Sequence, residues 1–154
     1  MSRQEKIDQI RNLPAQLEAL VKDLSEADLH THYLENEWTV AQNVHHLADS
    51  HMNSFIRIKF LLTADSPTVY GYNQDAWALT PDAHGLPVES SLTLLKGLHE
   101  RWVVLFEQVD ESAWSRTVIH SENGPMNLDN FLNTYAKHGE AHLDQIKRTL
   151  AAKG

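Results

Sequence analysis

The sequence predicts an all-α bundle. Four stretches carry apolar residues at helical spacing, strand-like alternation is nearly absent, and polar capping residues stand ahead of two of those stretches. At 154 residues the chain suits one domain spanning 1–154, because two domains of half that length would each lack core.

The elements follow in order. Residues 3–12 read as a short helix, and Pro14 suits the first turn of a second helix over 14–24. Ser25-Glu-Ala-Asp28 starts a further turn, and Glu35-Asn36-Glu37 is a polar break. Thr39-Val-Ala-Gln42 is a capping box, in which hydroxyl and amide satisfy each other's free backbone N–H groups. It opens a helix over 39–63 with Val40, Val44, Leu47, His51, Phe55, Ile58 and Leu62 on one side. Ile56 and Phe60 lie on another side, where a partner subunit would cover them.

Residues 64–87 hold Pro67, Gly71, Pro81, Gly85 and Pro87, with Tyr70, Tyr72 and Trp77 between them. Long connections are usually functional or disordered, and three large aromatics point to a packed, ordered flap. Leu92, Leu95, Leu98, Trp102, Leu105 and Val109 mark a third long helix over 89–109. Thr117-Val-Ile-His120 with Ser-Glu-Asn123-Gly124 suggests a small hairpin or extended loop. Asn127 caps the last helix, 128–151, striped by Leu128, Phe131, Leu132, Tyr135, Leu143, Ile146 and Leu150.

Composition narrows the chemistry. Thirteen Lys and Arg against 21 Asp and Glu leave a formal charge of −8, which argues against nucleic-acid and anionic-membrane partners. No apolar run approaches the roughly 18 residues of a membrane span. The start, Met1-Ser-Arg-Gln-Glu-Lys-Ile7, has no apolar leader, so a cytoplasmic location is expected. Zero Cys removes disulfides, thiolate ligands and any Cys nucleophile. Ten His make imidazole the side chain to follow.

His138-Gly-Glu-Ala-His142 puts two imidazoles one helical turn apart, within reach of one ion. Ten His in such a chain produce about 0.6 pairs of this spacing by chance, so the pair alone also fits hydrogen-bonded core histidines. It is not the zincin HExxH motif, because Gly139 stands where that motif has its glutamate and Glu140 points away from the pair. A third ligand must come from another helix, and Val44-His45-His46-Leu47-Ala48-Asp49-Ser50-His51 offers three histidines. Periodicity alone selects His51, in the middle of its stripe, and leaves His45 and His46 as solvated residues. No GxSxG, GxGxxG, phosphate loop or CxxC occurs.

Trp38-Thr-Val-Ala-Gln-Asn-Val-His-His-Leu-Ala-Asp-Ser-His51-Met-Asn-Ser, then Arg57-Ile-Lys59 and Thr63-Ala-Asp-Ser-Pro67, resembles the YfiT branch of the DinB/YfiT-like superfamily. Leu98-His-Glu-Arg-Trp102 and Tyr135-Ala-Lys-His138-x-x-x-His142 continue the resemblance in order, over roughly residues 5–150. It implies an antiparallel four-helix bundle, a homodimer, and one divalent metal ion per chain held by three histidines. Carried onto this sequence, those ligands are His46, His138 and His142. Asp49 and His51 become pocket candidates without an assigned role.

Members of this family are labelled metal-dependent hydrolases, and better-defined relatives are S-transferases or isomerases that use thiols such as bacillithiol or mycothiol. Zinc or nickel suits three imidazoles, whereas magnesium and calcium prefer oxygen. Three functions follow as expectations. The first is transfer of a low-molecular-weight thiol to an electrophilic small molecule, a detoxification; with no Cys in the chain, the thiol must arrive as cosubstrate. The second is hydrolysis by metal-bound hydroxide. The third is a metal-binding bundle without catalysis.

Overall fold

Four helix starts are closed by reciprocal side-chain caps, and these set the frame of the computed structural model, which describes residues 1–154. Ser2 with Glu5 opens α1 (Arg3–Val21) and Ser25 with Asp28 opens the short α2 (Glu26–His30). Thr39 with Gln42 opens α3 (Val40–Thr63), as the capping box predicts. Three more helices follow: α4 (Gln74–Ala78), α5 (Pro81–Gly85) and α6 (Glu89–Gln108). Asn127 with Asn130 opens α7 (Leu128–Ala151).

The long helices α1, α3, α6 and α7 form a four-helix bundle. Both α1 and α3 pack on α6 and on α7, so α1 lies diagonally across from α3 and α6 across from α7. That arrangement makes the connections from α1 to α3 and from α6 to α7 cross the bundle diagonally. The connection from α3 to its neighbour α6 carries β1 (Thr68–Val69), which pairs in parallel with β2 (Thr117–His120). Strand β2 in turn pairs antiparallel with β3 (Gly124–Asn127), so the hairpin read at 117–124 exists and gains a third strand. Arg116 closes the end of α3, donating from Nε to the Leu61 carbonyl at 2.9 Å and from Nη2 to that of Ala64 at 2.8 Å.

One expectation fails at the N-terminus. Pro14 does not separate two helices but lies inside a continuous α1. A proline in a helix interior removes the N–H that would reach four residues back and typically costs about 3 kcal/mol. Here the carbonyl so released, that of Ile10, accepts a 2.6 Å hydrogen bond from Nδ1 of His99 on α6. Burial of Ile10, Leu13, Leu17 and Val21 along one side holds the helix on both flanks of the proline.

The connection 64–87 is ordered, but its aromatics are only partly packed. Tyr72 packs against Trp77 with ring centroids 4.3 Å apart, whereas Tyr70 is 71% exposed. The segment is held to α3 by polar contacts instead. Gln42 donates from Nε2 to the Ala78 carbonyl at 3.0 Å. His45 donates from Nε2 to the Leu86 carbonyl at 2.8 Å and accepts the Ser91 hydroxyl at Nδ1, 2.7 Å away. His45 is thus a buried clamp rather than the solvated residue that periodicity suggests.

Two apolar clusters fill the bundle. One gathers Ile7, Ile10, Phe55, Ile58, Trp102 and Phe131 with their neighbours; the other gathers Leu13, Leu17, Val44, Leu47, Leu95, Leu143 and Ile146 with theirs. On each of α3, α6 and α7 a histidine falls in sequence between the two: His51, His99 and His138. Gly139, next to His138, lets α7 approach α1; a Cβ there would stand 3.0 Å from Cδ2 of Leu13.

Candidate metal centre

Three imidazoles converge where α3 faces α7. His46, His138 and His142 each offer a ring nitrogen, and these nitrogens all lie within 4.8 Å of one another. Nε2 of His46 and Nε2 of His138 are 3.1 Å apart. Two nitrogens bound to one tetrahedral zinc at about 2.0–2.1 Å would be separated by about 3.3 Å. The ring centroids of His142 lie 4.7 Å from His46 and 4.5 Å from His138. The helical spacing of His138 and His142 supplies two of the three groups, and α3 places His46 opposite them.

Ring orientation is set by the neighbours. Nδ1 of His142 donates to Oδ1 of Asn43 at 2.8 Å, and the Asn43 amide is oriented by donating from Nδ2 to the Thr39 carbonyl at 3.0 Å. That bond leaves the Nε2 lone pair of His142 free. Trp38 walls the site: its ring lies 4.7 Å from His46 and runs nearly parallel to His142 at 6.1 Å. A cleft of about 230 Å³ between Glu37, Trp38, Gln74, Asp75 and His142 gives access from solvent.

Burial keeps the cluster uncharged. It pushes the His46 imidazolium down to about 3, with the neighbouring charge of His142 adding to the effect. His138 falls to about 2, through burial and then the proximity of His142 and His46. His142 falls to about 4 by burial alone. At neutral pH all three are therefore neutral imidazoles, each with one ring nitrogen free to bind a divalent cation. A donor set of three nitrogens with no carboxylate among them fits zinc or nickel and fits magnesium and calcium poorly.

The remaining expected residues stand close by without joining the cluster. His51, fully buried, donates from Nδ1 to His99 at 2.7 Å and faces Nδ1 of His138 at 3.1 Å with Nε2. Asp49 is half-buried, and burial with the charge of Asp82 lifts its carboxyl up to about 6. Periodicity points to His51, whereas the ring nitrogens that converge are those of His46, His138 and His142. From Val40 to Ser50 every α3 residue except Asp49 is buried, because α2, α4, α5, α6 and α7 all pack around this half of the helix. A helix covered on all sides has no single stripe. Sequence reading also passed over Asn43 and His99. The signal for His99 was present, as a histidine between Leu95 and Trp102 in an apolar stripe.

Residues 9–146 match the protein family described as the DinB superfamily. A Geobacillus kaustophilus protein named "Putative metal-dependent hydrolase" is 45% identical over 152 residues, 98% of this chain and 85% of that protein. A Bacillus cereus protein of the same name is 41% identical over 147 residues, 94% of this chain and 84% of its own length. Among solved structures, YfiT from Bacillus subtilis, described as "a probable metal-dependent hydrolase with an unusual four-helix bundle topology", superposes with a TM-score of 0.91. It is 34% identical, over 97% of this chain and 87% of YfiT. A mycothiol-dependent maleylpyruvate isomerase shares the fold, with a TM-score of 0.62 at 17% identity over 95% of this chain and 61% of the isomerase. With its bundle topology and nearly its whole length matched, the chain belongs to the DinB superfamily.

Proposed function

We propose that this protein is a metal-dependent enzyme in which His46, His138 and His142 hold one divalent ion, zinc or nickel, and which transfers a small thiol cosubstrate to an electrophile. The observation that carries the reading is the donor set: three neutral imidazoles, a solvent cleft beside them, and no carboxylate among them. When bound, such an ion supplies a Lewis acid with at least one open position, able to acidify what occupies it.

The preference for a thiol rests on the chemistry such an ion would supply: a coordinating thiol loses its proton outright, whereas bound water is lowered only to a pKa of about 7. The chain has no Cys, so the thiol would come from solution. Glu37 and Asp75 line the cleft, and Glu140 is exposed on the outside of α7. In the transfer the thiol gives its proton to solvent, its sulfur bonds to the electrophilic carbon, and the leaving group departs with the electron pair of the broken bond. Trp38 and the Gln74–Asp75 segment border the opening through which both partners would enter.

Hydrolysis is the second reading, favoured by the names the relatives carry. One experiment separates the two. Zinc-loaded protein is given an alkyl halide or an activated ester, with and without a low-molecular-weight thiol, beside His142→Ala. Consumption of the halide above background only when thiol is present, lost in the variant, supports transfer. Ester turnover in thiol-free buffer, also lost in the variant, supports hydrolysis and overturns transfer. A homodimer belongs to the same reading: Ile56 and Phe60 are 53% and 52% exposed on α3, and sedimentation of the wild type against Phe60→Glu tests it.

A further inference from the structure

We propose that His99 and His51 are positioning residues that fix the tautomer of His138 from a backbone carbonyl set free by Pro14. The inference rests on the reading of His138 as a ligand and adds how its reactive nitrogen is kept free of a proton.

Four hydrogen-bonding groups form an unbroken line through the bundle: the Ile10 carbonyl, His99, His51 and His138. The distances are 2.6 Å from the carbonyl to Nδ1 of His99, 2.7 Å from Nε2 of His99 to Nδ1 of His51, and 3.1 Å from Nε2 of His51 to Nδ1 of His138. A carbonyl oxygen can only accept, so Nδ1 of His99 carries the proton. A neutral imidazole has one donor and one acceptor, so Nε2 of His99 accepts. The proton between His99 and His51 therefore sits on Nδ1 of His51, and its Nε2 accepts in turn. Nδ1 of His138 must then donate, which leaves the lone pair of His138 Nε2 pointing at His46. The direction of the whole line is imposed from its far end.

The reverse order is disfavoured at that same end. If His138 carried its proton on Nε2, each bond behind it would invert, and the lone pair of His99 Nδ1 would face the Ile10 oxygen at 2.6 Å. His51 and His99 are fully buried, so no solvent stands between the rings to take over the hydrogen bond that the reverse order would lose. In an ordinary helix the Ile10 carbonyl would be bonded to the N–H of residue 14; proline has none. Metal-bound histidines usually donate their second N–H to a carboxylate, a carbonyl or water. Here the same service comes from a carbonyl two imidazoles away.

The test uses metal-free, uniformly ¹⁵N-labelled protein and a zinc titration against a chromophoric chelator. Long-range ¹H–¹⁵N correlation of the wild type is expected to show His138, His51 and His99 protonated on Nδ1. His99→Leu removes the acceptor for His51 and is expected to weaken zinc binding about 10- to 100-fold, the usual cost of losing a partner behind a ligand. His99→Gln, whose Oε1 can accept from His51, is expected to recover all but a few-fold of that loss. A purely structural role for His99 would not produce this order of zinc affinities at equal foldedness. A wild-type proton on Nε2 of His138, or a folded His99→Leu chain that binds zinc as tightly as wild type, overturns the proposal. If His99→Leu does not fold, the wild-type spectrum decides. A chain with the expected tautomers that takes up no zinc supports the relay and overturns the ligand assignment instead.

Discussion

Acid should unfold the metal-free protein unusually early, and the structure sets the size of the effect. His46, His51, His99, His138 and His142 are all held neutral by burial, with imidazolium pKa values driven to about 3, 4, 2 and 4 for His46, His99, His138 and His142 and well below 6.5 for His51. In the unfolded chain each returns to about 6.5. The unfolded state therefore binds more protons than the folded one as pH drops below 6.5, so stability is complete above that value and drains away as pH falls toward the folded values. Each ring approaches a cost of about 1.4 kcal/mol per pH unit only well below pH 6.5, and between about pH 7.5 and about pH 5.5 it costs about 1.4 kcal/mol in all. Between about pH 7.5 and about pH 5.5 the five together remove about 7 kcal/mol, which rivals the 5–15 kcal/mol that a typical domain has in total. Asp49 has the opposite sign, since its carboxyl is raised to about 6, but it is half-exposed and solvent screens most of its effect. Urea unfolding at several pH values, with proton uptake on unfolding measured in parallel, checks this. A stability that falls by less than about 2 kcal/mol over the window, or that rises, would refute the picture of five buried neutral rings.

Other consequences are equally open to measurement. His142→Ala should lose most of the bound zinc, read by elemental analysis after desalting, while the exposed His84→Ala should keep it. Asn43→Ala removes the acceptor behind His142 Nδ1 and should weaken zinc binding about 10- to 100-fold by chelator competition, with the metal still taken up at saturation. Gly139→Ala gains about 1 kcal/mol of helix propensity but presses a methyl group against Leu13, an overpacking worth about 1–3 kcal/mol. Urea midpoints should show a net loss of stability, and the loss should shrink or reverse in a Leu13→Ala background.

The parts of this molecule governed by neighbours in sequence were legible in it. The cap at Thr39 and Gln42, the start of α7 at Asn127 and the HxxxH pair all depend on residues within one helical turn. What escaped depends on distant partners. Pro14 reads as a break until His99, reaching Ile10 from 89 positions away, takes up the carbonyl that proline strands. Strand β1 is two residues long, and its parallel partner lies beyond another helix, so no local alternation betrays it. Periodicity does not single out His46 as a candidate, because a helix enclosed on every side buries polar and apolar residues alike.

Gly139 limits what kind of catalyst this bundle can become. In a zincin the residue after the first histidine is a glutamate that takes the proton from water. On α7 that position is turned toward α1, and its Cβ would press into Leu13 before any carboxylate could reach the histidines. The slot a protease gives to its base is taken up here by two helices drawn together. A proton acceptor for this centre must then come from outside α7: from solvent, from the segment that borders the cleft, or carried in by the substrate itself.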